Sequence, residues 1–209
     1  MKHKKTIVLS TILCLFPILL GLALYEQLPE QVPIHFDFSG NPDNYACKTF
    51  AVFFLPLLMA AMNLLCHWAM HKEKKAMEAS PAPLLLITGW IIPVLCNLLM
   101  PVTLFMGMGK QLPIVTICSL ICGLTFIIIG NYLPKCKPNR YMGIKLPWTF
   151  ASEENWRRTH RFGGFVWVAV GICTLLAGIF ALSWLLLVSL FAAILLPTVY
   201  SWLLSRKQI

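Results

Sequence analysis

Long stretches of this chain carry almost no charge, and its polar residues gather in the gaps between them. Apolar runs occupy residues 6–25, 49–70, 84–107, 113–133, 162–181 and 183–204. Each is close to the roughly 20 residues with which an α-helix crosses a hydrocarbon layer about 30 Å thick. The pattern predicts an all-α integral membrane protein: six transmembrane helices in a single membrane domain spanning 1–209. Between the last two runs the break at Ala181-Leu-Ser183 is so short that the two spans must form an antiparallel hairpin.

Two of the intervening segments have a pattern of their own. In 26–48, Pro29 and Pro33 end the first helix, and Ile34–Phe38 alternates apolar and polar like a half-buried strand. Ser39-Gly-Asn-Pro42 then reads as a turn, so the segment is a shaped loop. The insert 134–161 begins irregularly, broken by Pro134, Pro138, Gly143 and Pro147, with Tyr141 and Trp148 as interfacial anchors. Ser152 is a helix N-cap, and Glu153 and Glu154 suit the positive helix start, which predicts an interfacial helix leading into the fifth span.

Composition agrees with the periodicity. Hydrophobic residues make up 58% of the chain and charged residues only 12%, about half the charged share of a soluble domain. The net charge of +9 suggests a polyanionic partner until the cations are placed. Every Lys and Arg except Lys48 and Lys110 falls on the side of the N-terminus, whereas Glu26, Glu30, Asp37 and Asp43 all lie in the first loop. Positive-inside topology requires this asymmetry. It predicts both termini and the insert in the cytoplasm and 26–48 outside, and it accounts for the basicity without direct nucleic-acid binding. The first run is longer than a signal-peptide core of about 7–15 residues, so a retained first helix is expected.

Candidate chemistry is sparse. Of eight cysteines, six lie in apolar runs, and no disulfide framework or zinc spacing emerges. Cys118 and Cys122 read as packing residues, and no metal or cofactor is expected. Spans three to six hold no ionisable side chain, which disfavours the rival reading of a small-molecule or peptide transporter. His67 reads as an interfacial residue beside Trp68, and Asn63 and Asn97 as interhelical hydrogen-bonders. Outside, Glu30, His35, Asp37 and Asp43 are the candidates to face a cationic ligand such as a peptide. Inside, Lys137, Asn139, Arg140, Lys145, Trp148, Trp156, Arg157, Arg158, His160 and Arg161 are candidates to dock a cytoplasmic partner or anionic lipid. Glu153, Glu154, Arg157 and His160 supply acid, base and cation on one helix. With no nucleophile motif or metal signature beside them, an enzyme is not expected.

Two motifs carry a family resemblance. The pattern L-P-x-x-V-P-I-H-F-x-x-x-G-x-P-D-x-Y at Leu28–Tyr45 resembles the domain near the N-terminus of SdpI-type bacterial membrane proteins. The pattern G-N-Y-L-P-x-x-K-P-N-x-Y-x-G-I-K-x-P-W-T, followed by W-R-x-T-H-R-x-G-G, at Gly130–Gly164 is similar to the signature of the same family. The matching positions include Asn131, Pro134, Lys137, Pro138, Asn139, Gly143, Pro147, Trp148, Thr149, Trp156, Arg157, Thr159, His160 and Gly163. The resemblance implies a multi-pass protein of the bacterial plasma membrane that protects its producer from a secreted peptide toxin. It also implies a sensor that holds a small transcriptional repressor at the membrane, and it assigns no catalytic step.

Overall fold

The computed structural model describes residues 2–72 and 78–207; Lys74 and Lys75, counted above among the inner cations, lie outside them. Six helices among the described residues are long and apolar enough to cross a membrane: Lys4–Leu24, Phe50–Lys72, Ala82–Gly107, Ile114–Lys135, Glu153–Ile179 and Ser183–Arg206. They match the six apolar runs, and the protein is a mostly helical, multi-pass membrane protein. The fifth helix differs most from expectation. It starts nine residues before the apolar run, because the capped polar stretch from Glu153 and the span form one continuous helix. The chain divides into two compact units, residues 1–72 with 86–114, and 73–85 with 115–209.

In the first unit, helices α1 (Lys2–Leu15) and α2 (Pro17–Leu24) make one span with a break at Pro17. Proline has no N–H to give the carbonyl four residues earlier, so Leu13 O accepts along its own helix from the Phe16 N–H at 3.3 Å and lacks the usual i+4 donor. Asn97 Nδ2, on α4 (Ala82–Gly107), donates to that carbonyl at 2.8 Å, and Cys96 Sγ donates to Cys14 O at 3.3 Å. These side chains add bonds at the break that water cannot supply inside a bilayer. A π-helical turn, Phe50–Phe54, leads into α3 (Leu55–Lys72).

The first loop contains more regular structure than its sequence suggests. Strand β1 (Gln31–Phe36) pairs antiparallel with a second strand, β2 (Pro42–Cys47). Pro33 is tolerated because it faces Tyr45, whose own N–H bonds to Asn44 Oδ1 at 2.8 Å, so neither residue depends on the other for a ladder bond. Leu28 and Val32 are buried with Ala51, Val52 and Leu104, which roots the hairpin in the helices of this unit.

The second unit contains α5 (Ile114–Tyr132), a short helix α6 (Pro147–Ala151), α7 (Glu153–Ile179) and α8 (Ser183–Arg206), and α6 packs against α7 and α8. Helices α5 and α7 approach closely through glycines seven residues apart. A Cβ at Gly130 would stand 2.8 Å from Gly164 O, and one at Gly171 would stand 2.6 Å from Gly123 O. Small residues let backbones meet in this way where no hydrophobic force drives helices together. Between α7 and α8, Asn155 Nδ2 donates to Ser201 O (3.1 Å). Asn155 Oδ1 accepts from Ser201 Oγ (2.7 Å) and Thr159 Oγ1 (2.9 Å), so a fully buried amide is satisfied at both ends.

Candidate functional site: the basic insert and the outer hairpin

The insert folds around two side chains of the first turns of α7. A 3-10 turn at Leu133–Lys135 ends α5. The Asn139 side chain then shapes the backbone: Oδ1 accepts from Tyr141 N (2.9 Å) and Met142 N (2.8 Å), and Nδ2 donates to Lys137 O (2.8 Å). An asparagine can close such a turn because its amide mimics a peptide group. The turn delivers Gly143 onto the rings of Trp156 and His160. Gly143 has φ of +116°, and a Cβ there would run into His160 Nε2. Both requirements select glycine.

Trp156 and His160 stack with their ring centroids 4.0 Å apart. Trp156 Nε1 donates to Cys136 O at 2.8 Å. The Ile144 N–H donates to His160 Nε2 at 2.9 Å, and His160 Nδ1 contacts Trp156 O at 2.7 Å. A backbone N–H can only donate and a carbonyl can only accept, so His160 is neutral with its proton on Nδ1. Thr149, also buried, ties the following segment: its Oγ1 lies within hydrogen-bond reach of Ile144 O (3.0 Å) and Leu146 O (2.8 Å) and accepts from Leu146 N (2.9 Å). Ser152 Oγ accepts from Asn155 N at 3.2 Å and caps α7 as expected. Cys136 is enclosed by this fold, and burial pushes its thiol pKa up from the ordinary value.

The inner candidates therefore separate into two sets. Trp156 and His160 are buried, at 2% and 0% exposure, and Asn139 and Trp148 are half-buried; the first three hold the insert in shape. Lys137, Arg140, Lys145, Arg157, Arg158 and Arg161 are exposed on its outside. Some of that charge is already engaged. Glu154 takes bonds from Arg157 (2.9 and 2.8 Å) and Arg158 (2.5 Å), while Lys145 Nζ reaches Arg140 O (3.4 Å) and Tyr141 O (3.3 Å).

The outer candidates are also engaged locally. Asp37 Oδ1 accepts from the N–H of Ser39 and of Asn41, each at 2.8 Å, and builds the hairpin turn. The Asn41 N–H is the main reason its carboxyl titrates below the ordinary carboxylate range. His35 Nδ1 meets Asp43 Oδ1 at 2.5 Å, and Glu30 pairs with Lys48 at 3.0 Å; all but Lys48 are well exposed. Lys48 in turn lies over the Tyr25 ring, 5.1 Å from its centroid.

One contact that the sequence did not reveal joins α1 to α3: Ser10, Asn63 and His67 are buried together. The four-residue spacing of Asn63 and His67 was a usable signal for a polar helix face, but nothing in the chain marked Ser10 as their partner.

Comparison with known proteins agrees with this architecture. Residues 135–201 match the SdpI/YfhL protein family, and residues 12–60 match a domain of unknown function, DUF1648. Over 203 residues the chain is 30% identical to "Immunity protein SdpI" of Bacillus subtilis (strain 168), covering 97% of this chain and 94% of that protein. No solved structure matches the chain. The likeness extends along the whole chain, through the outer hairpin, the insert and all six helices, and this protein belongs to the SdpI family.

Proposed function

We propose that this protein confers immunity or resistance in the cytoplasmic membrane of a bacterium by protecting it from a secreted antimicrobial peptide. The observation that carries the reading is the 30% identity, over 97% of this chain, with a protein named for immunity. The charge distribution supports an orientation with both termini and the insert in the cytoplasm and the hairpin outside. In that orientation Glu30, His35 and Asp43 are the side chains a cationic peptide meets, by exchanging their exposed local partners, while Asp37 maintains the turn that presents them.

On the inner side, the exposed basic set of Lys137, Arg140, Arg157, Arg158 and Arg161 is suited to an acidic partner, such as a small transcriptional repressor held at the membrane. The reading invokes no catalytic step: the imidazole of His160 already serves Ile144 N–H and Trp156 O. The test is expression in a sensitive bacterium challenged with a panel of membrane-active peptides that includes the one encoded nearest this gene. Survival against at least one peptide is expected, and unchanged killing across the panel overturns the proposal.

A further inference from the structure

We propose that His67, in its cluster with Ser10 and Asn63, is a proton-binding site inside the first helical unit. Ser10 Oγ lies 3.1 Å from His67 Nε2 and equally 3.1 Å from the carbonyl of Ile7. A hydroxyl has one proton to give and two lone pairs to accept with. Pointed at Nε2, the Ser10 proton serves a bare ring nitrogen. Rotated to Ile7 O, it leaves an oxygen lone pair for an Nε2–H. Binding one proton at Nε2 therefore costs no hydrogen bond: the incoming proton occupies the Nε2···Oγ contact, and the hydroxyl proton moves to the Ile7 carbonyl.

The surroundings favour the charged form over an apolar pocket. Asn63 Nδ2 donates to Ser10 Oγ (2.9 Å) and Thr11 Oγ1 (3.0 Å) in either state, whereas Asn63 Oδ1 is buried with no partner. That unused acceptor belongs to the residue one helical turn before the imidazole. Three helices place polar or small groups beside the ring, and one of those groups, His71, is itself titratable. Helix α1 brings Ser10 and Thr11. Helix α3 brings Asn63 and, one turn further on, His71, whose Nδ1 meets His67 O at 3.1 Å. Helix α4 brings Gly89, where a Cβ would stand 3.4 Å from His67 Cε1. The charged residues nearest along these helices, Lys4, Lys5 and Lys72, are all exposed. A titratable side chain kept among membrane spans is costly and marks function.

His160 provides an internal control. Ile144 N–H and Trp156 O engage both its ring nitrogens, one with a fixed donor and one with a fixed acceptor.

The experiment is a nitrogen-15 histidine NMR titration of the full chain in lipid nanodiscs from about pH 8.5 to 5, the range in which histidine changes charge. His67→Gln assigns the signal. If that variant does not insert, single replacements of His3, His35, His71 and His160 assign it by elimination. The expected result is reversible uptake of one proton at His67 while His160 keeps its Nδ1–H form. Replacing Ser10 by Ala is expected to weaken proton affinity about tenfold or more, and Ser10→Thr, which keeps the hydroxyl, to restore it. A His67 signal that stays neutral throughout overturns the proposal, as does a midpoint that Ser10→Ala leaves unmoved.

Discussion

The indole N–H of Trp167 donates to the carbonyl of Ala193 at 2.9 Å. Ala193 is four residues before Pro197, which lies inside α8 and has no N–H to offer it. Asn97 and Leu13 show the same relationship in the other unit, where Pro17 is the residue that withholds the donor. In both units a neighbouring helix supplies the missing bond from a side chain, which turns a local defect into a helix–helix contact.

Replacing Trp167 by Phe keeps an aromatic ring but removes that donor. Interhelical hydrogen bonds in membranes contribute about 0.6–1.7 kcal/mol, so a loss of about 1 kcal/mol is expected in reversible unfolding from mixed micelles. Asn97→Ala should cost a similar amount, and the two losses should add, because the sites lie in separate units.

Gly143→Ala tests the fold of the insert. The side chain would meet His160 Nε2 at a backbone angle that L-residues rarely adopt, and strain of about 1–3 kcal/mol is expected. Limited proteolysis should cut the variant within 134–161 at protease concentrations that leave the parent intact, with membrane insertion unchanged.

The outer hairpin should lose its turn in acid. Asp37 has a folded-state pKa below the ordinary carboxylate value because its charged form accepts backbone N–H bonds. Its contribution is therefore fully present above the unfolded pKa and is lost as pH falls through the folded one. Hydrogen exchange at the amides of Ser39 and Asn41, corrected for the intrinsic pH dependence, should show protection at neutral pH that is lost as the pH falls below the ordinary carboxylate range. Asp37→Asn should reduce that protection already at neutral pH.

If the insert recruits a partner through its basic face, changing Arg157, Arg158 and Arg161 together to Gln should abolish co-purification of that partner. The protein should still insert, since the three arginines are exposed and the pairs that Arg157 and Arg158 make with Glu154 lie at the surface, where solvent screens them. Recruitment that persists would assign these side chains to the lipid surface instead.

The six spans were legible because the bilayer imposes a length, and Leu- and Ile-rich runs meet it without competing signals. The N-cap at Ser152 was legible for a similar reason: its chemistry is local. Strand β2 was not, since Pro42–Cys47 is almost wholly exposed and alternates nothing; it is a strand because β1 offers it a backbone ladder. Trp156 and His160 looked like a surface for partners because they sit in a polar stretch at helical spacing. Their true neighbours are backbone groups, Cys136 O twenty residues away and Ile144 N sixteen residues away, and backbone partners have no residue-type signature.

Helix α7 carries the insert on its first turns and the glycine contacts with α5 further along, in one unbroken run of 27 residues. Such a rod is about 40 Å long at 1.5 Å per residue, so a tilt of only about 5° carries its far end through roughly 3.5 Å. Arg157 and Arg158 stand at the polar end of this rod, and the glycine contacts lie along its farther part. Because the glycines set backbone against backbone there, a tilt of that size cannot occur without displacing α5 as well.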